Sequence, residues 1–153
     1  MRKFKSSFIL SAATFFVLFF FSFNSGFAQA SGKVQLKITG NDINLSGEYD
    51  CNICGQYFYP LEKKGVLFEA KIEGWKLQLA NGEERIAGSQ VRKNSEVTIL
   101  LNGPGKYYGY DNRKAEGEIN FSKDFKSATI KAILKNVVNH KDTVEVEATF
   151  SCD

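Results

Sequence analysis

Val144-Glu145-Val146-Glu147-Ala148-Thr149-Phe150-Ser151-Cys152, at the end of this 153-residue chain, alternates apolar and polar side chains without a break. A strand repeats its side-chain direction every two residues, so Val144, Val146, Ala148 and Phe150 share one face and Glu145, Glu147 and Thr149 the other. A helix would scatter both sets. The same period returns upstream, where Ser127 to Val137 reads as a longer strand and Ile119 with Phe121 as a short one.

Further from the end the pattern persists. Val97, Ile99 and Leu101 mark a strand that stops at Asn102-Gly103-Pro104-Gly105. Val66, Phe68, Ala70 and Ile72 oppose Glu69, Lys71 and Glu73, and Gly74 marks a turn into Trp75, Leu77 and Leu79, with Trp75 expected on the core face. Asn81-Gly82 supplies residues that tolerate positive φ, and a short strand is expected around Glu84 to Ala87. Val34, Leu36 and Ile38, then Ile43, Leu45 and Tyr49 beyond Gly40-Asn41-Asp42, read as an opening hairpin. About eight to nine short strands separated by turn signals predict an all-β domain: an antiparallel β-sandwich, with a flattened barrel as the alternative.

The beginning of the chain has a different character. Arg2, Lys3 and Lys5 precede an almost wholly apolar run from Phe8 to Phe23, and Ala28-Gln29-Ala30 fits the small-x-small cleavage rule. This pattern predicts a signal peptide over residues 1–30 and a single domain over 31–153. The run is shorter than the roughly 20 residues of a membrane span, which favours cleavage over a retained anchor. A secreted or periplasmic location is expected, with no membrane span left after cleavage. Removing the leader takes three basic residues and no acidic one, so the formal charge of +3 falls to zero. A neutral domain gives no electrostatic reason to expect nucleic acid as a partner.

Export gives the three cysteines their meaning, because thiols in an oxidising compartment tend to pair. Cys152 continues the even-numbered inward series of the last strand, and Cys51 the odd-numbered series from Ile43 through Tyr49. Parity therefore favours Cys51–Cys152, a bond that closes a loop of about 100 residues and contributes roughly 4–5 kcal/mol by chain entropy. Cys54, three residues along, competes for Cys152, and a bond within Cys51-Asn52-Ile53-Cys54 is also geometrically allowed. Each pairing leaves one thiol over.

Sharper chemistry finds little to build on. Cys51, Cys54, Cys152 and His140 complete the inventory of a zinc site. However, His140 lies in the Asn139-His140-Lys141-Asp142 turn, and Cys152 ends the strand that starts there. At about 3.3 Å per residue the two stand roughly 30–40 Å apart. A thioredoxin-like pair needs a helix start after the second cysteine, and Gly55-Gln56-Tyr57-Phe58-Tyr59-Pro60 is a poor one. With a single histidine, nucleophilic triads have only one available base. Neither a cofactor nor a catalytic residue is expected. Gly103-Pro104-Gly105-Lys106 lacks the spacing of a phosphate loop.

Two aromatic groups are open to a binding reading: Tyr57, Phe58 and Tyr59 before Pro60, and Tyr107, Tyr108 and Tyr110 after the Gly-Pro-Gly turn. Tyr combines a flat apolar face with a polar handle and suits a platform for a sugar or an apolar ligand; it equally suits packing across strands. Tyr57, Tyr59, Tyr107, Tyr108 and Tyr110 are thus the candidate ligand contacts.

The segments Asn102-Gly103-Pro104-Gly105-Lys106-Tyr107, Glu116-Gly117-Glu118-Ile119-Asn120-Phe121, Ser127-Ala128-Thr129-Ile130-Lys131-Ala132 and Ala148-Thr149-Phe150-Ser151-Cys152 resemble small exported bacterial β-sandwich proteins of unassigned function. In these a Gly-Pro-Gly-x-Tyr turn precedes a late hairpin and the chain closes on a cysteine. The resemblance covers about the last 50 residues and implies that Cys152 is paired with an early cysteine. The expected function is a non-enzymatic binding or interaction domain whose partner is an unknown protein or small ligand. The alternative is an envelope structural or assembly protein that uses a free thiol or a strand edge, and a Cys-based metal or redox protein stands behind both.

Overall fold

The computed structural model describes residues 31–59, 64–81, 88–89, 97–111, 113–114 and 116–153. The expected leader and the strand expected at Glu84 to Ala87 lie outside these residues. The described chain forms ten strands: β1 (Gly32–Gly40), β2 (Asn44–Tyr59), β3 (Lys64–Ile72), β4 (Trp75–Asn81), β5 (Gly88–Ser89), β6 (Val97–Gly103), β7 (Lys106–Gly109), β8 (Glu118–Phe121), β9 (Ser127–Asn136) and β10 (Thr143–Cys152).

Every pairing is antiparallel, and the order β10-β1-β2-β3-β4-β6-β7-β9 returns to β10. Eight strands therefore hydrogen-bond in a closed ring. This is the flattened-barrel form of the all-β expectation, in which no separate second sheet is needed to bury the first. β9 carries β10 along one edge; the other edge is shared by β7 near Asn136 and by β8 from Lys131 to Ala128, and β8 in turn pairs with the two-residue β5.

The alternation read from the sequence is the alternation of the wall. Val34, Leu36 and Ile38 of β1 face Val144, Val146, Ala148 and Phe150 of β10 and are buried with them, while the residues between point outward. Phe68 lies at the centre, its ring 5.3 Å from Phe150 and 6.1 Å from Phe121. Burying a side chain of this size stabilises the fold by about 1.5–3 kcal/mol. The interior is packed with side chains. Among the described residues no helix is long and apolar enough to cross a membrane.

β2 departs from regular alternation. Its pairing with β3 slips between Cys51 and Ile53 and again between Ile53 and Gln56. Each slip places one extra residue on β2, which is the signature of a β-bulge. Gly55, inside the second slip, has φ of 60°, in the left-handed region that glycine enters without steric cost. The bulges let Cys51 and Cys54, of opposite parity, both end up buried.

Cys54, not Cys51, is bonded to Cys152, with the two Cα atoms 5.5 Å apart and 98 positions apart in sequence. Parity points to Cys51–Cys152 only along an unbroken strand, and the two bulges in β2 turn Cys54 toward Cys152 instead. Cys51 is left as a buried free thiol. The bond joins β2 to β10 past the start of β1, and Gly32 is what leaves room for it. A Cβ built on Gly32 would stand 2.6 Å from the Cys54 sulfur and 2.4 Å from the Ser151 carbonyl oxygen.

Candidate functional site at the end of the barrel away from the disulfide

β1 and β10 run antiparallel from Gly32↔Cys152 to Gly40↔Val144, so the disulfide and the β9–β10 turn mark opposite ends of the barrel. Three connections meet at the second end: the β1–β2 turn carrying Asp42, the Gly103-Pro104-Gly105 turn between β6 and β7, and residues 137–142 between β9 and β10.

Local chemistry shapes each of them. Gly103 passes over the Trp75 indole so closely that a Cβ there would stand 2.1 Å from the ring, and the Trp75 ring in turn lies 6.2 Å from that of Tyr108. The β9–β10 turn is held by side chain and backbone together. The Asn136 side-chain oxygen accepts from the N–H groups of Val138 at 2.9 Å and Asn139 at 3.1 Å, while the Asn136 N–H donates to the Asp142 carbonyl at 2.9 Å. The Val137 N–H donates to the Tyr107 carbonyl at 3.0 Å, tying this turn to β7.

Asp142 is the hub. Its Oδ2 accepts from the Lys106 ammonium at 2.9 Å, the Tyr108 hydroxyl at 3.1 Å and the Asn136 side-chain amide at 3.3 Å. Lys106 also donates to Asp42. One ammonium thus bridges carboxylates from two different turns. The Lys106 contact, with the Tyr108 and Asn136 donors, holds the Asp142 carboxyl below the usual carboxylate range, and the two carboxylates raise the Lys106 pKa. Burial, first of all, pushes the Tyr108 hydroxyl up. The second Asp142 oxygen, Oδ1, is buried with no donor among the described residues.

Beside this hub lies an open cleft of about 620 Å³ whose lining includes Lys106, Tyr107, Asn136, Val138, Asn139 and Asp142. Tyr107 is 36% exposed and Val138 90% exposed, so an aromatic face and a pair of methyl groups stand next to the polar hub. A smaller cleft of about 330 Å³, lined by Tyr110, Asp111, Arg113, Lys135, Val137 and His140, adjoins the same turn. There the Arg113 guanidinium holds the Asp111 carboxyl below its ordinary range.

The candidate tyrosines do not form one platform. Tyr107 is on the surface at the larger cleft. Tyr108 is fully buried in the core, which corrects its reading as a ligand contact: alternation along β7 turns its ring inward between the outward Tyr107 and Gly109. Tyr110 is partly buried against the core and lines the smaller cleft. Tyr57 and Tyr59 sit on β2 opposite Val66 and Lys64, and their side chains lie outside the described residues. Sequence reasoning missed Asp42, Lys106, Asn136 and Asp142. The turns holding three of them were legible, but not that ring closure brings those turns together.

The remaining cysteine has its own environment. Burial, then the neighbouring Asp50 carboxylate, pushes the Cys51 thiol up to about 11, so almost none of it is thiolate at neutral pH. Among the described residues no three His, Cys, Asp or Glu side chains gather as a metal would require. No protein-family model, curated protein or solved structure matches the chain.

Proposed function

We propose that this is an exported, disulfide-closed barrel that binds a small ligand at the end carrying the β6–β7 and β9–β10 turns. One observation carries the reading: the exposed Tyr107 ring, the exposed Val138 methyls and the polar residues Lys106, Asn139 and Asp142 line the same open cleft. Ligand sites combine apolar and aromatic surface with a few placed polar groups, and a volume of about 300–1,000 Å³ is usual for them. The charge pattern of the leader supports export. So does the Cys54–Cys152 bond, which belongs to an oxidising compartment, secreted or periplasmic. The resemblance of the last third to exported bacterial proteins agrees with this.

Binding is favoured over catalysis because the reactive groups are placed unfavourably. His140 is exposed in a turn, the Cys51 thiol is buried, and Asp142 is held ionised by three donors instead of being poised to exchange a proton. The assembly alternative draws less support, since Cys51 is buried and ring closure pairs the eight barrel strands with each other, which leaves the two-residue β5 as the end of the sheet among the described residues.

The test is a fragment-library screen by two-dimensional NMR on the mature protein. Hits should shift the amide signals of Tyr107, Val138, Asn139 and Asp142 saturably, and Tyr107→Ala should weaken them. A screen whose hits all map elsewhere would overturn the assignment of this end of the barrel.

A further inference from the structure

We infer that the smaller cleft, where β7 meets β9, is a binding site for an oxyanion, the phosphate or carboxylate group of a ligand. It shares no lining residue with the larger cleft and goes beyond the reading given to that one. Three parts of the chain supply its basic groups. Lys135 stands on β9 opposite Gly109 of β7, Arg113 and Lys114 belong to the connection between β7 and β8, and His140 comes from the β9–β10 turn. Gly109 leaves the space above it open between Leu100 and Val137, whose side chains stand 3.9 and 4.0 Å from where its β-carbon would be. Val137 and Tyr110 add apolar surface beside the basic groups.

The charges of this cleft are unevenly matched. Arg113 and Asp111 satisfy each other: the guanidinium donates to Asp111 Oδ1 at 3.0 Å, and the Arg113 backbone N–H donates to the same oxygen at 3.3 Å. Lys114 and Lys135 have no such partner. Their amines stand within hydrogen-bonding reach of each other, which raises the Lys114 pKa and lowers that of Lys135. No carboxylate among the described residues lies within ion-pair distance of either; Glu116 and Asp111 act on them only from farther away. Two like charges held together disfavour the free protein, and an anion between them replaces that repulsion with charge-assisted hydrogen bonds. A cationic ligand would add a further positive charge to the pair. A neutral one would leave the repulsion in place. The exposed Arg113 fork and the His140 ring line the same cleft and offer donors to the remaining oxygens of the anion.

The experiment is a titration of the purified protein with inorganic phosphate, then acetate and benzoate, at fixed ionic strength, followed by NMR of the backbone amides and the lysine side chains. The inference predicts saturable shifts at Arg113, Lys114, Lys135 and His140, with affinity falling about tenfold in Lys114→Gln and in Lys135→Gln. Lys135→Arg, which keeps the charge, should bind within about threefold of wild type. Phosphate should also raise the thermal midpoint of the wild type more than that of Lys135→Gln. These side chains are at the surface, so the variants keep the dispersed spectrum of the folded barrel. Lys141→Gln is the control: Lys141 is exposed on the same turn but outside the lining of the cleft, and its loss should change affinity by no more than about twofold. Saturation by phosphate alone assigns a phosphate group, saturation by acetate or benzoate alone a carboxylate, and each bears out the oxyanion site. Shifts that do not saturate with any of the three, or equal weakening in Lys141→Gln and Lys135→Gln, would reduce the effect to diffuse surface charge and overturn the inference. Tyr107→Ala should leave phosphate affinity unchanged, so fragment hits in the larger cleft without anion binding here would overturn this inference alone.

Discussion

Gly32 and Cys54 occupy the same corner of the barrel, and each explains the other. The disulfide needs the space that a β-carbon on Gly32 would take, so the bond and the glycine form one structural unit. Cys51, three residues away, is inside the wall but outside this unit. Cys51→Ala is expected to keep the Cys54–Cys152 bond and to cost only about 1 kcal/mol, read by chemical denaturation. In the wild-type protein, alkylation of Cys51 under native conditions should be slow near pH 7 and accelerate toward pH 11, followed by intact mass. Tyr108 separates packing from binding. Tyr108→Phe loses one hydrogen bond to Asp142 and should cost about 1 kcal/mol, whereas Tyr108→Ala opens the core and should cost about 3–5 kcal/mol. A Tyr108→Ala protein as stable as wild type would show that this ring is not core.

Among the elements, the turns at the end away from the disulfide are tied by charge and the strands by burial. Asp142 has a folded-state pKa below its unfolded value, so its contribution to stability is complete above about pH 4 and is lost as pH falls through the folded value. Lys106→Gln removes the largest cause of that depression while the Tyr108 and Asn136 donors remain. The thermal midpoint should therefore fall less steeply with acid in Lys106→Gln than in wild type, and equal slopes would refute the role given to Lys106.

The same elements show what can be read from sequence. β1, β3, β4, β6, β8, β9 and β10 follow from period-two patterning, since one buried face writes itself into the chain. β7 was hidden, because Lys106-Tyr107-Tyr108-Gly109 is too short to show a period and resembles the end of a turn. The continuation of β2 beyond Cys54 was ambiguous for another reason. Its two bulges break the alternation on which both the strand and the cysteine pairing were judged. The tyrosines were visible as residues, but the carboxylate hub was not. It assembles from Asp42, Lys106, Asn136 and Asp142 only when β10 closes on β1 and β7 docks on β9.

For the molecule as a whole, the two ends of the barrel have different duties. At one end Cys54–Cys152, the Cys152 N–H bond to the Lys126 carbonyl and the Asp153 N–H bond to the Ser31 carbonyl fasten the last strand. At the other end polar contacts hold the turns around an open cleft. A bond spanning 98 positions restricts the unfolded chain by about 4–5 kcal/mol, so Cys54→Ala/Cys152→Ala should lose stability of that order against a Cys51→Ala background. That is a large share of the stability of a domain this size. An open cleft at one end is compatible with a firm fold because the clasp is at the other.

The central claim is this division of labour between the two ends of the barrel, and it depends on which thiols are joined. Differential alkylation of the protein purified without reductant tests it most directly. One reagent is applied under denaturing conditions, a second after reduction, and tandem mass spectrometry locates both labels. The account predicts the first label on Cys51 alone and the second on Cys54 and Cys152. The second label on Cys51 and Cys152, or the first label on all three cysteines, would contradict it.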